Sequence, residues 1–234
     1  MLECKNISLK AGDKALFTAS ELLLNAGLYA LVGRNGTGKS TFLRTIAGEL
    51  STDGTILLNG NNIEEIGLKQ MAFQISIVKS RAQLFGDFNV RNILMLGRLP
   101  YQKMLAIPSK EDNQKVDKVA NDLGLVDLLE KNYNLLSDGE KQMVMVARAF
   151  VQDTPVILLD EPAAFLDLVN RKELLDHLKR LAAQENKLII FATHHIEVLP
   201  NYCDGVMLIH NKKLSLLKDK SKFVDTINQA FELN

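Results

Sequence analysis

The chain has 234 residues, 47% of them hydrophobic, which is enough to bury a substantial core in one domain or two small ones. Its 28 basic and 28 acidic side chains cancel, so no long-range positive field attracts nucleic acid and we expect no nucleic-acid partner. The two cysteines stand far apart without neighbours at metal-ligand spacing, which argues against a zinc site or a disulfide framework and fits a reduced cytosolic setting. A signal-peptide pattern and an apolar run of about 20 residues are both missing, so we expect no membrane-spanning segment.

Short apolar runs alternate with helical patterns, which predicts an α/β fold with a mostly parallel sheet buried on both faces. More polar N-terminal runs predict an antiparallel β-subdomain containing Ile7, Leu9, Leu22–Leu24 and Thr55–Leu58, with turns at Asp53-Gly54 and Asn59-Gly60. The predicted parallel strands are Leu28–Val32, Val156–Leu159, Leu188–Ala192 and Val206–Ile209.

A long helical stretch from about residue 89 to residue 151 predicts a helical subdomain over 80–151, inserted between core segments 1–79 and 152–234. Pro100 and Pro108 are expected to break its connections. The predicted helices are Val90–Gly97, Glu111–Leu123, Leu125–Lys131 and Gly139–Phe150.

Residues 33–40, Gly-Arg-Asn-Gly-Thr-Gly-Lys-Ser, match the Walker A phosphate-binding loop in full, between a predicted strand and a predicted helix at Lys39–Ala47. The glycines let backbone N–H groups face phosphates, and the helix N-terminus adds partial positive charge. Lys39 is expected to reach the β- and γ-phosphates of ATP, while the Ser40 hydroxyl ligates Mg²⁺. The nucleotide-binding candidates are Asn35, Gly36, Thr37, Gly38, Lys39, Ser40 and Thr41.

Two adjacent carboxylates end the predicted strand 156–159, at the edge where ligands bind in open α/β sheets. Asp160 suits the Mg²⁺ shell, usually through water. Glu161 suits the general base that polarises the attacking water. The alternative is the solvated start of a loop, and the preceding Walker A loop favours the catalytic interpretation.

Three further segments follow in a recognisable order: 136–140 (Leu-Ser-Asp-Gly-Glu), 164–167 (Ala-Phe-Leu-Asp) and 193–194 (Thr-His). With the Walker A loop, they resemble the signature, D-loop and switch histidine of the nucleotide-binding subunits of ABC transporters, over nearly the whole chain. The resemblance implies an ATPase with a P-loop NTPase core. By this resemblance the core would comprise a RecA-like unit with the antiparallel β-subdomain, and residues 80–151 would be the helical signature subdomain.

In that family the nucleotide lies between the Walker A loop of one subunit and the signature of another, so the resemblance implies a homodimer with two composite sites. Ser137 and the Gly139 backbone would contact the γ-phosphate bound to the partner copy. Ser137 and Glu140 also match a helix capping box, and both roles use the same helix end. Asp167 would brace the dimer interface, with a plain surface loop as the alternative.

The resemblance also assigns His194 as the γ-phosphate sensor that orders the catalytic water together with Glu161. His195 is a competing assignment, and a purely structural histidine is another. We choose His194 because it directly follows the apolar strand and Thr193.

The signature departs from the family pattern at two positions, with Asp138 where Gly is usual and Glu140 where Gln is usual. Two carboxylates repel an incoming triphosphate unless they are turned away or paired. Asp138 has an alternative role as a charge that complements the helix dipole.

Two further departures concern the Q-loop and the base. Ser80 stands where the family's Gln is expected, and Gln83 is a candidate substitute. The adenine-stacking aromatic of the family falls near Ala11, and the nearby Phe17 is interpreted as core. Phosphate contacts would then carry most of the binding.

Residues 90–101, which include Gly97-Arg98-Leu99-Pro100-Tyr101, resemble importers of the iron-siderophore, haem and vitamin B12 type. An ordinary helix that ends at Gly97 and Pro100 is the alternative. A permease would dock near 80–91, where Phe85 and Phe88 supply either apolar contact or subdomain core.

The leading hypothesis is a homodimeric ATPase that drives an integral membrane permease from the cytoplasmic, inner face of the cell membrane, with import of an iron-siderophore, haem or cobalamin-like compound. A soluble ABC-type ATPase acting as an assembly or repair factor is the alternative. A nucleotide-dependent switch module ranks last.

Overall fold

The computed structural model describes residues 1–80, 86–102 and 107–232, and within these ranges ten strands form a single mixed sheet. The strands are β1 (Leu2–Ala11), β2 (Lys14–Leu24), β3 (Gly27–Gly33), β4 (Asp53–Leu58), β5 (Asn61–Asn62), β6 (Ile75–Val78), β7 (Val156–Asp160), β8 (Leu188–Ala192), β9 (Gly205–His210) and β10 (Lys213–Leu217). The helices are α1 (Lys39–Ile46), α2 (Leu68–Gln74), α3 (Val90–Leu96), α4 (Lys110–Asp122), α5 (Asp138–Val151), α6 (Leu168–Gln184), α7 (Leu199–Tyr202) and α8 (Phe223–Phe231).

The order across the sheet is β5-β4-β1-β2-β10-β9-β3-β8-β7-β6. Strands β9, β3, β8, β7 and β6 pair in parallel, whereas β1 pairs antiparallel with β2 and β4. A single parallel pairing of Lys213 with Thr18 joins the two regions through β10 and β2. The predicted α/β class, with a mostly parallel core sheet and an antiparallel N-terminal part, is confirmed.

Helices pack on both faces of the core sheet, as the near-continuous hydrophobicity of its strands predicts. Leu28 and Ala30 of β3 pack with α5 and α6, while Leu31, the residue after Ala30, packs with α1 on the opposite side. Helices α3, α4 and α5 all lie between β6 and β7 in sequence and share the first of these two cores.

The predicted helix at Leu125–Lys131 is wrong, because this segment forms only a 3₁₀ turn at Val126–Leu128. Gly124, with φ +65°, ends α4, and the backbone N–H of Leu125 bonds back to Ala120 at 2.7 Å. Two carbonyls of the segment then accept hydrogen bonds from the backbone at the start of α3, Val90 to Lys131 and Arg91 to Leu129. Pairing with a distant segment thus replaces helix continuation.

One predicted turn also differs from the structure. Asp53-Gly54 is not a turn but the start of β4, where a Cβ on Gly54 would lie only 2.4 Å from the Asn6 carbonyl oxygen. Glycine is required there by the close approach of β1, where the pairing register shifts. Pro100 lies in the connection between α3 and α4, as predicted, within a short 3₁₀ turn at Leu99–Tyr101 whose first turn tolerates proline.

A buried ion pair holds the helices of the insert together. Arg98 and Asp112, 5% and 4% exposed, are joined by an Nε–Oδ1 contact of 2.8 Å, and Arg98 also donates to the Val151 carbonyl at 3.1 Å. The guanidinium lies 3.8 Å from the centroid of the Tyr101 ring, and Asp112 completes a capping box with Ser109 at the start of α4. The ends of α3, α4 and α5 therefore meet at one charged cluster.

Replacing Asp112 should therefore destabilise the fold strongly. Asp112→Ala leaves the Arg98 charge buried without its partner, and we expect the free energy of unfolding to fall by about 3–5 kcal/mol. Asp117→Ala is the matched control, because Asp117 is 57% exposed in its side chain and pairs with Arg91 at the surface, a contact worth about 0–1 kcal/mol. Urea unfolding measures both, and equal losses would contradict the role assigned to the buried pair.

Candidate nucleotide site

The parallel register brings three of the predicted site segments to one edge of the sheet. Ala192, the last residue of β8, pairs with Leu31 of β3 on one side and with Asp160 of β7 on the other. The chain therefore leaves β3 into the Walker A loop, β7 into Glu161 and β8 into His194 at the same edge, where α/β sheets bind ligands.

The Walker A loop is closed by its own backbone and side chains. Thr37 donates its backbone N–H and its hydroxyl to the Arg34 carbonyl, at 3.3 and 2.8 Å. Gly38, with φ +106°, is the N-cap of α1 and packs so closely over Leu16 that a Cβ would lie 2.9 Å from it. Both the backbone angle and the lack of space require glycine at this position.

The Lys39 side chain lies inside this loop. It is 6% exposed, and its Nζ donates to the Gly33 carbonyl at 2.8 Å and contacts the Arg34 carbonyl at 3.5 Å. Burial lowers the pKa of Lys39, whereas the negative charges of Glu161 and Asp160 act to raise it. The two carboxylates are thus close enough to interact with the Walker A lysine, as the predicted site requires.

The donor set fits a nucleotide-bound Mg²⁺. Asp160 is 6% exposed at the end of β7, and Ser40 is exposed in the first turn of α1. The described part of the chain contains no cluster of three or more His, Cys, Asp or Glu residues able to hold a metal by itself. Mg²⁺ commonly takes one or two protein oxygens and fills its shell with phosphate and water, so one carboxylate and one hydroxyl suffice.

Glu161 and His194 form a direct hydrogen-bonded pair. His194 Nε2 lies 2.8 Å from Glu161 Oε1, with side-chain exposures of 45% and 31%. Glu161 has φ +53°, a left-handed conformation that is uncommon outside glycine and is concentrated at functional sites. This turn directs the carboxylate towards His194.

His195 is directed away from this pair. Its Nδ1 lies 3.2 Å from Arg171 Nη1, and its backbone N–H donates to the Thr193 hydroxyl at 3.1 Å. Of the two adjacent histidines, only His194 contacts Glu161, so the geometry favours the assignment chosen from the sequence.

The signature segment forms the predicted capping box. The Ser137 hydroxyl oxygen accepts from the Glu140 N–H at 3.3 Å, while the Glu140 carboxylate accepts from the N–H and the hydroxyl of Ser137, both at 2.8 Å. Hydrogen bonds from the Ser137 backbone and hydroxyl lower the pKa of Glu140. Glu140 is therefore turned back onto its own helix end, and within the described residues no hydrogen bond links Ser137 to the Walker A loop.

The D-loop segment lies next to the signature helix. A Cβ on Gly139 would lie 3.0 Å from the Phe165 carbonyl oxygen, so the two segments are in close contact. Asp167 caps α6 by accepting the Asn170 N–H at 2.8 Å. Phe165 and Leu168 are 56% and 78% exposed, which leaves an apolar surface beside Asp167.

The adenine-stacking position and the Q-loop position also depart from the family pattern. Ala11 is exposed at the β1–β2 hairpin, and Phe17 is core as predicted, with 2% exposure and edge-to-face packing on Phe42 at 5.4 Å. Ser80 is half-buried after β6, while the candidate substitute Gln83 and also Phe85 lie outside the described residues. Phe88 is 40% exposed, so it is not subdomain core.

Two arginines make contacts at the site that the sequence motifs do not predict. Arg34 of the Walker A loop donates to the Phe231 carbonyl at 2.7 Å, a residue 197 positions away in the chain. Arg171 contacts His195 and also the Leu166 carbonyl, at 3.3 Å. The sequence could have indicated Arg171 by its position in the helical turn after Asp167, because that turn must face either solvent or the site.

No helix in the described ranges is long and apolar enough to cross a membrane. Both cysteines, Cys4 and Cys203, are buried and free, and burial raises the pKa of each thiol to about 12.

Comparison with known proteins places this geometry in a family. The family model described as ABC transporter matches residues 20–164. A petrobactin import ATP-binding protein of Bacillus anthracis is 32% identical over 96% of this chain and 83% of its own, and an achromobactin transport ATP-binding protein of Dickeya dadantii is 36% identical over 78% and 68%. Other relatives are named for cobalamin and thiamine import.

The fold is shared with solved structures. A dimeric bacterial ABC transporter cassette superposes with a TM-score of 0.81 over 93% of this chain and 98% of its own, at 21% identity. The fold that carries the Walker A loop, the carboxylates at the end of β7 and His194 is thus the fold that these motifs predict. The chain belongs to the ABC transporter family as an ATP-binding subunit with ATPase function.

Proposed function

We propose that two copies of this chain hydrolyse ATP at composite sites and so power import through a partner membrane permease. The observation that carries the proposal is the 2.8 Å hydrogen bond between Glu161 and His194, at the sheet edge where the Walker A loop begins. A carboxylate paired with an imidazole beside a phosphate-binding loop is suited to activate water for attack on a γ-phosphate.

In this mechanism each residue has a distinct task. Backbone N–H groups of residues 35–41 and the start of α1 bind the phosphates, and Lys39 exchanges its loop carbonyls for β- and γ-phosphate oxygens. Ser40 and Asp160 would hold Mg²⁺, which would neutralise phosphate charge. Glu161 accepts the proton of the attacking water, and His194 holds the water and the γ-phosphate in line.

The site of one copy is only half of the proposed site. Ser137 and the Gly139 backbone open a helix N-terminus suited to an anion, yet Ser137 bonds to its own helix rather than to the Walker A loop. In the dimer these groups would contact the γ-phosphate held by the other copy. The exposed apolar residues beside Asp167 support burial against a second copy, as does the dimeric state of the matching cassette.

We further propose that residues 80–151 act as the signature subdomain and dock the permease, while 1–79 and 152–234 form the ATP-binding core. An apolar groove of about 360 Å³ on this subdomain, lined by Phe88, Met95, Leu96 and Leu99, supports this assignment. Docking would place the dimer at the cytoplasmic face of the cell membrane. The names of the petrobactin, achromobactin and cobalamin relatives support a cargo of the iron-siderophore, haem or cobalamin type.

Removing the proposed base should trap the dimer. Glu161→Gln keeps the shape but cannot accept the proton, so we expect kcat to fall by about 10²–10⁴-fold. With ATP and Mg²⁺ the variant should elute from gel filtration at twice the monomer mass. Adding Lys39→Ala should abolish that dimer, because ATP binding is lost. Hydrolysis by Glu161→Gln at the parent rate would contradict the assignment of the base.

Neutralising the signature carboxylate should strengthen the response to ATP. Glu140→Gln preserves the capping box, since Gln also serves at this position, but removes a negative charge from the helix end proposed to contact the partner's triphosphate. We expect KM for ATP to fall about two- to fivefold at low salt, with a smaller change at high salt because screening weakens the repulsion. Glu111→Gln, an exposed residue in the first turn of α4, is the matched control and should leave KM unchanged. An unchanged KM in Glu140→Gln would show that the turned-back carboxylate does not repel ATP.

Native membranes provide the test of transport. The chain should co-purify with a polytopic permease, and proteoliposomes holding that complex should accumulate a ferric siderophore only with ATP. Lys39→Ala should abolish the uptake, and cobalamin and thiamine serve as competing cargoes. Recovery with soluble partners alone would contradict transport, whereas uptake of thiamine alone would contradict only the cargo class.

A further inference from the structure

Arg171 connects two segments of the site that are far apart in sequence. It lies in the first turn of α6, where its Nη2 donates to the Leu166 carbonyl at 3.3 Å, and its Nη1 lies 3.2 Å from Nδ1 of His195. One side chain thereby joins the D-loop segment to the residue that follows His194.

The contact with His195 fixes the state of that ring. A guanidinium can only donate, so His195 Nδ1 must accept, and a neutral ring then carries its proton on Nε2. Burial and the charge of Arg171 both lower the pKa of His195, which favours this neutral form, while Glu197 at 3.6 Å opposes them. The backbone N–H of His195 also donates to the Thr193 hydroxyl, so hydrogen bonds fix the backbone on both sides of His194.

The surroundings of Arg171 differ from those of a surface charge that stabilises the fold. It has no carboxylate partner among the described residues, and its buried Nε has no hydrogen-bond partner there. Beside it lies a mostly apolar cavity of about 200 Å³, lined in part by Leu174, Phe191 and Val198. A half-satisfied guanidinium in such surroundings costs stability, and departures of this kind are expected where a residue serves function.

We propose that Arg171 is a positioning residue that transmits the position of the D-loop segment 164–167 to the His194–Glu161 pair. This inference rests on the proposed function, because it assumes that the segment meets a second copy and that the pair acts on water. When the partner shifts the Leu166 carbonyl, Arg171 moves with it and carries the backbone of residues 193–195. The dimer contact thereby sets the geometry of the His194–Glu161 pair, which is already hydrogen-bonded at 2.8 Å in the single chain.

The test separates positioning from packing. Arg171→Met keeps the aliphatic stem but removes both contacts, and we expect kcat to fall about 10- to 100-fold with KM for ATP within about threefold, because misplacement by about 1 Å costs this much. Arg171→Lys can donate to one of the two partners, so its kcat should lie between those of Arg171→Met and the parent. Lys172→Met, the exposed neighbour on the same helix turn, is the control and should keep the parent kcat.

A second readout excludes a structural cause. In the Glu161→Gln background, Arg171→Met should still form the ATP-trapped dimer, since binding and closure are intact. The inference is overturned if Arg171→Met keeps the parent kcat, or if it raises KM as strongly as it lowers kcat, or if the trapped dimer is lost with it. Failure of Glu161→Gln alone to trap a dimer would instead contradict the proposed function, so the two failures are distinguishable.

Discussion

The candidate site depends on one constraint, the register of three parallel strands. Ala192 at the end of β8 is paired on both sides, with Leu31 and with Asp160, so β8 and β7 end at the same level and β3 continues only to Gly33 beyond it. A shift of one residue in any of them would turn its following side chains to the opposite face. The Walker A loop, the carboxylates and His194 are thus brought to one edge by backbone hydrogen bonds and not by contacts among themselves.

At this edge of the sheet the charges of Lys39, Asp160 and Glu161 partly offset one another. Burial makes the ammonium of Lys39 less favourable, and the carboxylates of Asp160 and Glu161 offset part of that cost. The left-handed conformation of Glu161 costs on the order of 1–3 kcal/mol and is compensated by the surrounding fold. A triphosphate with Mg²⁺ would bring both signs of charge to these groups.

The sequence was most informative where local pattern and tertiary structure agree. The apolar runs of β3, β7 and β8, the Walker A loop and the Ser137–Glu140 capping box could all be predicted, because each depends on residues close in the chain. Leu125–Lys131 was predicted as helix wrongly, since its carbonyls bond to the start of α3. The Arg171 contacts could not be predicted either, because they join residues brought together only by the folded sheet and α6.

The D-loop segment 164–167 is where the two halves of the proposed composite site meet within one chain. From the signature side, Gly139 packs against the Phe165 carbonyl so closely that only a glycine leaves room without displacement. From the catalytic side, Arg171 holds the Leu166 carbonyl, and Asp167 fixes the start of α6. A displacement of this segment would therefore act on both the helix end proposed to contact the partner's phosphate and the loop that carries His194. Coupling of the two sites in a dimer would then require no long pathway, because two consecutive residues contact the two halves, Phe165 the signature helix and Leu166 the Arg171 side chain.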